Sequence, residues 1–481
     1  MKFIHQPQNS QENILTDGQQ ICTYQDIPKI FERIREFFDE KDIRIQYPLV
    51  LECENSLPGA LLLLYLLEEG YSFLLIPSET KASRPDSDEY FPPFCRSKIR
   101  TDPVSHENTA RFRPDDVLQV ITNEKGKNAD KADLADPKLY LRTSGSTGTP
   151  KMAVHSHARM RENALNCVRR LGIKSDHRIA VPVPVAHMYG LGAAFLPAVA
   201  VGAYVDLQKG ANLLRYLQRE RTFDPDTAFI TPVFCETLLK GRRAARSYRL
   251  TVTAGDRFGE DTFARYESLF GPLINLYGST EMGAMSAACL DDPDEIRSQT
   301  AGKPMPGVQI RLGKGDAEFT GDTEDTGELW CYHSYGFEGY IDEHGNPAGA
   351  DPVGKKNWFR TKDMGRVRPD GSIEVMGRCD HSVNRDGLLV SFADVENAIR
   401  TIEGIENVVV VSEGEGRRGK RLIACCAPAG GAEISASDVR TACFDILPGR
   451  AVPDDIVFLK SLPLLPSGKV DRQKLTRMVG R

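Results

Sequence analysis

The chain has 481 residues, more than one hydrophobic core usually supports, so two or more domains are expected. Its hydrophobic content of 41% and its charged content of 27% are those of an ordinary globular protein. A formal net charge of −6 argues against nucleic acid or an anionic membrane as a general partner.

The eleven cysteines lack the spacing of metal or disulfide sites, which predicts buried or free thiols in a reducing, cytoplasmic compartment. The first fifteen residues do not have the pattern of a signal peptide. The longest apolar run, residues 59–67, is too short to span a bilayer and predicts a buried helix. We therefore expect no membrane span.

Helical and strand patterns alternate through the first three-quarters of the chain. Residues 27–40 and 163–173 have helical periodicity, whereas residues 47–53 and 71–78 are apolar runs typical of buried strands. This alternation predicts the fold class α/β, with a large N-terminal domain of parallel-sheet subdomains.

The pattern changes to short strands and turns from about Val308, which predicts a small β-rich subdomain. The last hundred residues alternate helices and strands and predict a small α+β domain. We expect an N-terminal core at residues 1–378 and a mobile C-terminal domain at residues 379–481.

Residues 141–157 read LRTSGSTGTPKMAVHSH and follow a short apolar strand pattern. Gly145 and Gly148 allow a positive φ and close approach to a ligand, while the hydroxyls and Lys151 add donors and a charge. Such a loop predicts phosphate binding. It is not a Walker loop, because Lys151 lies three residues after Gly148.

Residues 143–151 resemble the phosphate loop of the adenylate-forming ligases, a superfamily of acyl- and aryl-CoA synthetases, peptide-synthetase adenylation domains and luciferases. Further signatures of that superfamily follow along most of the chain in the expected order. The resemblance implies ATP binding by Thr143, Ser144, Gly145, Ser146, Thr147, Gly148, Thr149, Lys151, Tyr277, Gly278, Ser279, Thr280, Glu281, Asp363 and Arg378.

The segment NLYGSTEMG, residues 275–283, resembles the second nucleotide motif. Tyr277 offers an aromatic face for adenine, and Gly278 permits close approach to the substrate. The carboxylate of Glu281, together with Thr147, is the expected Mg²⁺ site because Mg²⁺ prefers hard oxygen ligands.

Residues 358–380 resemble the ribose region, with Asp363 as acceptor for the ribose hydroxyls and Arg378 beside it. The family usually has Gly where this chain has Lys362, a change we interpret as surface variation. Asp380 is the expected hinge and Gly387 belongs to the expected thiol-acceptor loop. Asn384 and Phe392 depart from the usual Lys and Pro, which puts a charged contact of that loop in doubt.

Residues 462–475 resemble the motif of the catalytic lysine, which is Lys469 here. A lysine offsets the charge that builds up when a carboxylate meets a phosphate. On a mobile domain, it completes the site only when the domain closes. The expected catalytic residues are Lys469, Glu281 and Thr147.

Residues 181–203 resemble the segment that lines the acyl pocket, where His187 either gates the pocket or packs in the core. This segment lacks the aspartate with which amino-acid-activating domains hold an ammonium group, so a fatty or aromatic acid is favoured. The expected pocket residues are His187, Phe234, Ala254, Gly255, Gly278 and Met282.

The resemblance implies that a carboxylic acid and ATP give an acyl-adenylate and pyrophosphate, after which the acyl group passes to a thiol. CoA and the phosphopantetheine of an acyl carrier protein remain equal candidates for that thiol. The alternatives are an amino-acid-activating enzyme and an inactive nucleotide-binding homologue. The presence of Lys469 and Glu281 disfavours the inactive homologue.

Overall fold

A computed structural model describes most of the chain in two compact units. The described residues are 2–7, 11–78, 91–101, 112–123, 131–143, 151–210, 212–242, 244–255, 259–314, 318–319, 326–348, 353–354, 358–379, 382–385, 388–416, 419–429, 434–464 and 470–479. The first unit takes residues 1–311, 330–361 and 367–374, and the second takes residues 312–329, 362–366 and 375–481.

The strands are numbered here in chain order. They are β1 (Ile14–Thr16), β2 (Ile21–Thr23), β3 (Leu49–Cys53), β4 (Phe73–Pro77), β5 (Ser97–Thr101), β6 (Leu118–Thr122), β7 (Lys138–Thr143), β8 (Lys151–Ser156), β9 (Arg178–Val181), β10 (Tyr204–Leu207), β11 (Thr227–Ile230), β12 (Leu250–Ala254), β13 (Leu273–Ser279), β14 (Gly283–Ala287), β15 (Lys303–Pro304), β16 (Gln309–Lys314), β17 (Glu318–Phe319), β18 (Thr326–Tyr332), β19 (Gly339–Ile341), β20 (Val353–Gly354), β21 (Trp358–Val367), β22 (Ile373–Arg378), β23 (Ser382–Arg385), β24 (Leu388–Ser391), β25 (Ile405–Gly416), β26 (Gly419–Pro428) and β27 (Asp455–Phe458).

The helices are numbered in the same way. They are α1 (Ile27–Glu40), α2 (Leu57–Glu69), α3 (Pro114–Val117), α4 (His157–Leu171), α5 (Leu196–Ala200), α6 (Leu213–Phe223), α7 (Pro232–Gly241), α8 (Glu260–Phe270), α9 (Asp294–Gln299), α10 (Phe392–Arg400), α11 (Ala436–Ile446) and α12 (Arg472–Val479). A π-helix, Tyr189–Phe195, precedes α5.

The predicted helices form for local reasons. In α1, the buried residues recur three or four positions apart, as the sequence pattern predicts. In α2, all residues from 57 to 67 are buried, so the long apolar run is a core helix. Ser56 caps the start of α2, since its Oγ accepts a hydrogen bond from the N–H of Gly59, and Gly70 ends it at a φ of 81°.

Two sheets with parallel centres build the first unit. One has nine strands in the order β15-β14-β13-β12-β11-β9-β10-β1-β2, and the other has seven in the order β19-β8-β7-β4-β3-β5-β6. In the first, the run from β13 to β1 is parallel; in the second, the run from β7 to β5 is parallel. The predicted α/β fold class with parallel sheets is therefore confirmed.

A third sheet corresponds to the predicted β-rich region. Its order is β17-β16-β18-β21-β20, with β22 beside β21. Trp330 and Trp358, the two tryptophans of the chain, lie buried in it. The guanidinium of Arg360 lies 5.3 Å from the ring centroid of Trp330, and that of Arg311 lies 5.0 Å from that of Trp358.

The second unit contains a five-stranded sheet in the order β24-β23-β26-β25, with β27 parallel to β26. The helices α10 and α11 pack with these strands around a core that includes Val395, Val410 and Cys443. Helices and strands alternate along this region, as the sequence pattern predicts, so its α+β character is confirmed.

All eleven cysteines are free thiols, as predicted, and all except Cys289 and Cys379 are buried. Among the described residues, no helix is long and apolar enough to cross a membrane.

Candidate active site

The strands β7 and β8 bring together the two ends of the predicted phosphate loop. Thr143 pairs with Lys151 across the ladder, and its hydroxyl donates to the carbonyl oxygen of Lys151 at 3.2 Å. The predictions on the residues between them lie outside the described residues. These are Ser144, Gly145, Ser146, Thr147, Gly148 and Thr149.

The second nucleotide motif is the hairpin between β13 and β14, which pair antiparallel with a bulge between Tyr277 and Gly278. A Cβ on Gly278 would lie 2.3 Å from the carbonyl oxygen of Gly283, so this position requires glycine for the hairpin itself. The hydroxyl oxygen of Ser279 accepts a hydrogen bond from the N–H of Met282 at 3.1 Å. The hairpin thus presents Thr280 and Glu281 at its tip.

Three consecutive carbonyl oxygens at this tip are each bound by a buried donor. The donors are Nε2 of His155 to Thr280 at 2.8 Å, the N–H of Phe337 to Glu281 at 2.8 Å, and Nε2 of His333 to Met282 at 3.0 Å. Burial lowers the pKa of both histidines to about 4, so each ring is neutral near pH 7 and donates one N–H. The backbone beneath the Glu281 carboxylate is therefore fixed by neutral groups.

The carboxylate of Glu281 is half-buried and accepts a hydrogen bond from the hydroxyl of Tyr340 at 2.7 Å. Among the described residues, no basic side chain lies within 4.0 Å of it, although Nζ of Lys151 lies 5.9 Å from the centroid of the Tyr340 ring. A carboxylate held by a neutral hydroxyl, with no cation beside it, fits the hard oxygen ligand that Mg²⁺ prefers.

Asp363 and Arg378, the two residues of the predicted ribose motif, form an ion pair on the neighbouring strands β21 and β22. Nη1 of Arg378 lies 3.3 Å from Oδ1 of Asp363, which is buried. Lys362, just before Asp363, has a φ of 59° in the left-handed region. Lys362 is exposed, in keeping with surface variation, but glycine adopts this φ without strain and lysine does not.

His187 is exposed, so the alternative of a packed core residue is wrong. It lies two residues before the π-helix, a rare element that is frequent at functional sites.

Buried polar side chains hold this segment. Asn55 donates to the carbonyl oxygens of Val181 and Val183 and accepts from the N–H of Val185; Asn163 donates to the carbonyl oxygen of Gly192; and the Tyr189 hydroxyl contacts the carbonyl oxygens of Ile230 and Val252.

The other predicted pocket residues lie in different surroundings. Ala254 is the buried last residue of β12, and Gly255 follows it at a φ of 97°. Met282 is buried beside Gly336. Phe234 packs edge-to-face on Tyr216, with ring centroids 5.1 Å apart, in the cluster formed by α6, α7 and α8. The role of Phe234 in the acyl pocket stays a prediction.

The residues on either side of Lys469 are held closely in the second unit. Leu464 and Val470 form an antiparallel bridge, and the N–H of Asp471 donates to the carbonyl oxygen of Pro463 at 2.8 Å. Lys469 itself, together with the predicted hinge Asp380 and Gly387, lies outside the described residues.

Polar contacts anchor the start of α12, which follows Lys469 in the sequence. Nη2 of Arg472 lies 2.8 Å from Oε1 of the buried Glu396, and Arg472 also donates to the carbonyl oxygen of Val410. The N–H of Val410 donates to the same Glu396 oxygen at 2.7 Å. The three residues form a closed set of contacts three positions after Lys469.

Sequence reasoning missed the residues that support Glu281: His155, His333, Tyr340 and Asn163. Their contacts with residues 280–284 span 51 to 125 positions, which no periodic pattern reveals. The one local signal is that His155 and His157 interrupt the otherwise apolar strand pattern of β8 and the start of α4.

Comparison with known proteins places the chain among nucleotide-dependent enzymes. The sequence profile of the AMP-binding enzyme family matches residues 63–341, and that of the AMP-binding enzyme C-terminal domain matches residues 394–469. A salicylyl-CoA synthase / salicylate adenylyltransferase of Streptomyces sp. is 28% identical over 72% of this chain. The match spans only 64% of that relative's length.

Two further similarities extend over nearly the whole chain. YdaB of Bacillus subtilis (strain 168), named a candidate acyl-CoA ligase, is 26% identical over 98% of this chain and 97% of its own. The crystal structure of ATP-bound MatB from Rhodopseudomonas palustris matches with a TM-score of 0.82 at 18% identity, covering 97% of this chain and 95% of that one. The resemblance to adenylate-forming enzymes is thus confirmed: the chain belongs to the AMP-binding enzyme family.

Proposed function

We propose that the chain activates a carboxylic acid with ATP and then transfers the acyl group to a thiol. The carboxylate oxygen attacks the α-phosphorus, the bond between the α- and β-phosphates breaks, and pyrophosphate leaves. The thiol sulfur then attacks the acyl carbonyl carbon, the thiol proton is lost and AMP leaves. The observation that carries this proposal is the half-buried Glu281 carboxylate, which has no basic side chain next to it among the described residues. Its hydrogen-bond donor, Tyr340, also has the ammonium of Lys151 near its ring.

In this proposal, Glu281 and Thr147 hold Mg²⁺, which offsets negative charge on the phosphates when it is bound. The loop from Thr143 to Lys151 binds the phosphates through backbone N–H groups, hydroxyls and the Lys151 ammonium. Tyr277, which is half-buried at the end of β13, offers its ring to adenine.

We assign the ribose to Asp363, with Arg378 holding the carboxylate at 3.3 Å. Residues 379–481 would be the mobile domain, residues 1–378 the core, and Asp380 the hinge between them. Lys469 would offset the charge that develops between the two reacting anions, and the contact of Arg472 with Glu396 would position it.

For the acid, we favour an aromatic carboxylate over a fatty one because the Streptomyces relative is named for salicylate. Residues 181–203 contain no acidic residue that could hold an amino acid's ammonium group. The exposed His187 would close the pocket beside the π-helix.

CoA is the acceptor we favour, since the same relative is named for salicylyl-CoA, and Gly387 would lie in the acceptor loop. A carrier-protein phosphopantetheine ends in the same thiol and is the second candidate. A cytoplasmic location is part of the proposal, supported by the eleven free cysteines.

The test is ATP–pyrophosphate exchange over a panel of benzoic, cinnamic, fatty and amino acids, in the wild type and in the site variant Glu281→Gln. We expect exchange with the aromatic acids, followed by thioester formation when CoA is added, and loss of both in the variant. Exchange with amino acids alone would replace the proposal by the amino-acid-activating alternative. ATP binding without exchange on any acid would favour an inactive homologue.

A further inference from the structure

Tyr340 contacts two groups of opposite charge that the proposed reaction needs. Its hydroxyl donates to Oε1 of Glu281 at 2.7 Å, and Nζ of Lys151 lies 5.9 Å from its ring centroid. Tyr340 belongs to β19 and pairs directly with Ala153 of β8. Because Lys151 lies two residues before Ala153 on the same face of β8, the ring stands diagonally across from the lysine.

Neighbouring residues hold this ring in place. Phe337 packs edge-to-face on it, with ring centroids 4.9 Å apart, and the carbonyl oxygen of Tyr340 accepts from the N–H of Ala348 at 2.9 Å. Phe337 also binds the backbone of Glu281 through its N–H at 2.8 Å. One short segment therefore fixes both the tyrosine and the carboxylate that it contacts.

Lys151 and Glu281 form no ion pair with each other, nor with any other described residue. Opposite charges in direct contact at a protein surface attract each other. A direct contact would therefore be favourable, but it would occupy both side chains. The ammonium would no longer face phosphate, and the carboxylate would no longer face a divalent cation.

We propose that Tyr340 keeps Lys151 and Glu281 apart, so that the lysine stays available to an anion and the carboxylate to a cation. This inference rests on the proposed function. Tyr340 serves as a neutral partner to both: its ring face attracts the ammonium, and its hydroxyl binds one carboxylate oxygen. It is a positioning residue, since it acts through the two charged groups.

The test measures how strongly Mg²⁺ enhances ATP binding, by calorimetric titration of ATP with Mg²⁺ or with EDTA. The enhancement, which is the ratio of the two affinities, reports on Glu281 and does not depend on catalytic turnover. In Tyr340→Leu, Lys151 can reach Glu281, and we expect the enhancement to fall roughly tenfold, within the range of ordinary coupling between two ligands. Tyr340→Phe keeps the ring and the fold, and should lose less.

The second-site variant separates this role from general damage to the fold. Lys151→Met in the Tyr340→Leu background removes the ammonium that would pair with Glu281, so the enhancement should return although ATP affinity itself falls. Lys151→Met alone should leave the enhancement unchanged. If Tyr340→Leu keeps the wild-type enhancement, or the double variant does not regain it, this inference is overturned. If the wild type shows no enhancement, the proposed metal role fails as well.

Discussion

The hairpin tip that carries Glu281 and the residues that flank Lys469 are held by different kinds of polar contact. At the hairpin, the donors are two neutral imidazoles, a backbone N–H and a tyrosine hydroxyl. Near Lys469 in the sequence, the anchor is the ion pair between the buried Glu396 and the partly exposed Arg472. A site that is to receive a cation keeps its own carboxylate free of positive charge, whereas a purely structural carboxylate can be neutralised.

The largest expected effect is that of Lys469→Ala. Removing the cation that offsets the charge of the transition state should slow pyrophosphate exchange by roughly 10²–10³-fold. ATP affinity, measured by calorimetry, should stay unchanged because the lysine acts on the developing charge. Lys474→Ala, on the exposed face of α12, is the matched control and should exchange normally. Near-normal exchange in Lys469→Ala would remove the catalytic assignment.

Glu396→Ala tests the ionic anchor. It leaves Arg472 and the N–H of Val410 without their acceptor, so the free energy of unfolding should fall by about 3 kcal/mol in urea titrations. Glu396→Gln keeps an acceptor oxygen and should lose less. The exposed neighbour Glu403, changed to Ala, should have no effect. An equal loss of unfolding free energy in Glu396→Ala and Glu403→Ala would mean that the ion pair makes no specific contribution to stability.

Asp363→Ala tests the proposed ribose site. Loss of the charge-assisted hydrogen bonds to ribose should weaken ATP binding by roughly 30-fold, or about 2 kcal/mol. Asp370→Ala, in the exposed turn between β21 and β22, serves as the control and should bind ATP normally. Unchanged affinity in Asp363→Ala would show that the ribose lies elsewhere.

We expect acid to lower the stability of the first unit, because its buried histidines are neutral imidazoles in the folded state. Burial lowers the pKa of His157 from 6.5 to about 4, and its Nδ1–H donates to the carbonyl oxygen of Leu67. The unfolded chain therefore binds the proton first as the pH falls below 6.5. The stability that the neutral His157 ring contributes to the folded state is lost between pH 6.5 and 4. Between pH 7 and 5 the loss should be on the order of 2 kcal/mol.

Urea titrations at the two pH values check this sign and size. His157→Asn keeps an amide donor but cannot take up the proton, so its stability should vary less with pH than that of the wild type. His344→Asn, at an exposed position, should keep the wild-type pH dependence. A His157→Asn variant with the full wild-type dependence would assign the acid effect to other groups.

The smallest expected effect is a gain. Lys362→Gly relieves a φ of 59°, and the net gain in the free energy of unfolding should be about 0.5 kcal/mol, because glycine also costs entropy on folding. Lys362→Ala keeps the strain and should gain nothing. Equal urea midpoints for all three proteins would show that the strand accommodates lysine at no cost.

Local patterns in the sequence predicted much of the fold. The helix predicted at residues 27–40 coincides with α1, and the apolar run at 59–67 lies within the buried helix α2. The strands expected at residues 47–53 and 71–78 are β3 and β4, shortened at their ends. Periodicity and capping decide these elements, and both depend only on neighbouring residues.

What the sequence did not reveal depends on distant partners or on backbone angles. His155 meets Thr280 across 125 positions, and Tyr340 meets Glu281 across 59. The left-handed backbone at Lys362 is also invisible in the residue type, because lysine has no preference for that region. The contact between Phe234 and Tyr216 is likewise not visible in the motif, since a helix offers two faces and a motif does not say which one is used.

The placement of both tryptophans in one sheet gives this protein a built-in optical probe. When the protein is excited at the red edge of tryptophan absorption, the fluorescence comes from Trp330 and Trp358 only. Intrinsic fluorescence therefore reports on that sheet rather than on the whole chain. Trp358 begins β21, the strand that carries Asp363. A nucleotide that settles on Asp363 would therefore be seen without a label, in the emission of its own strand.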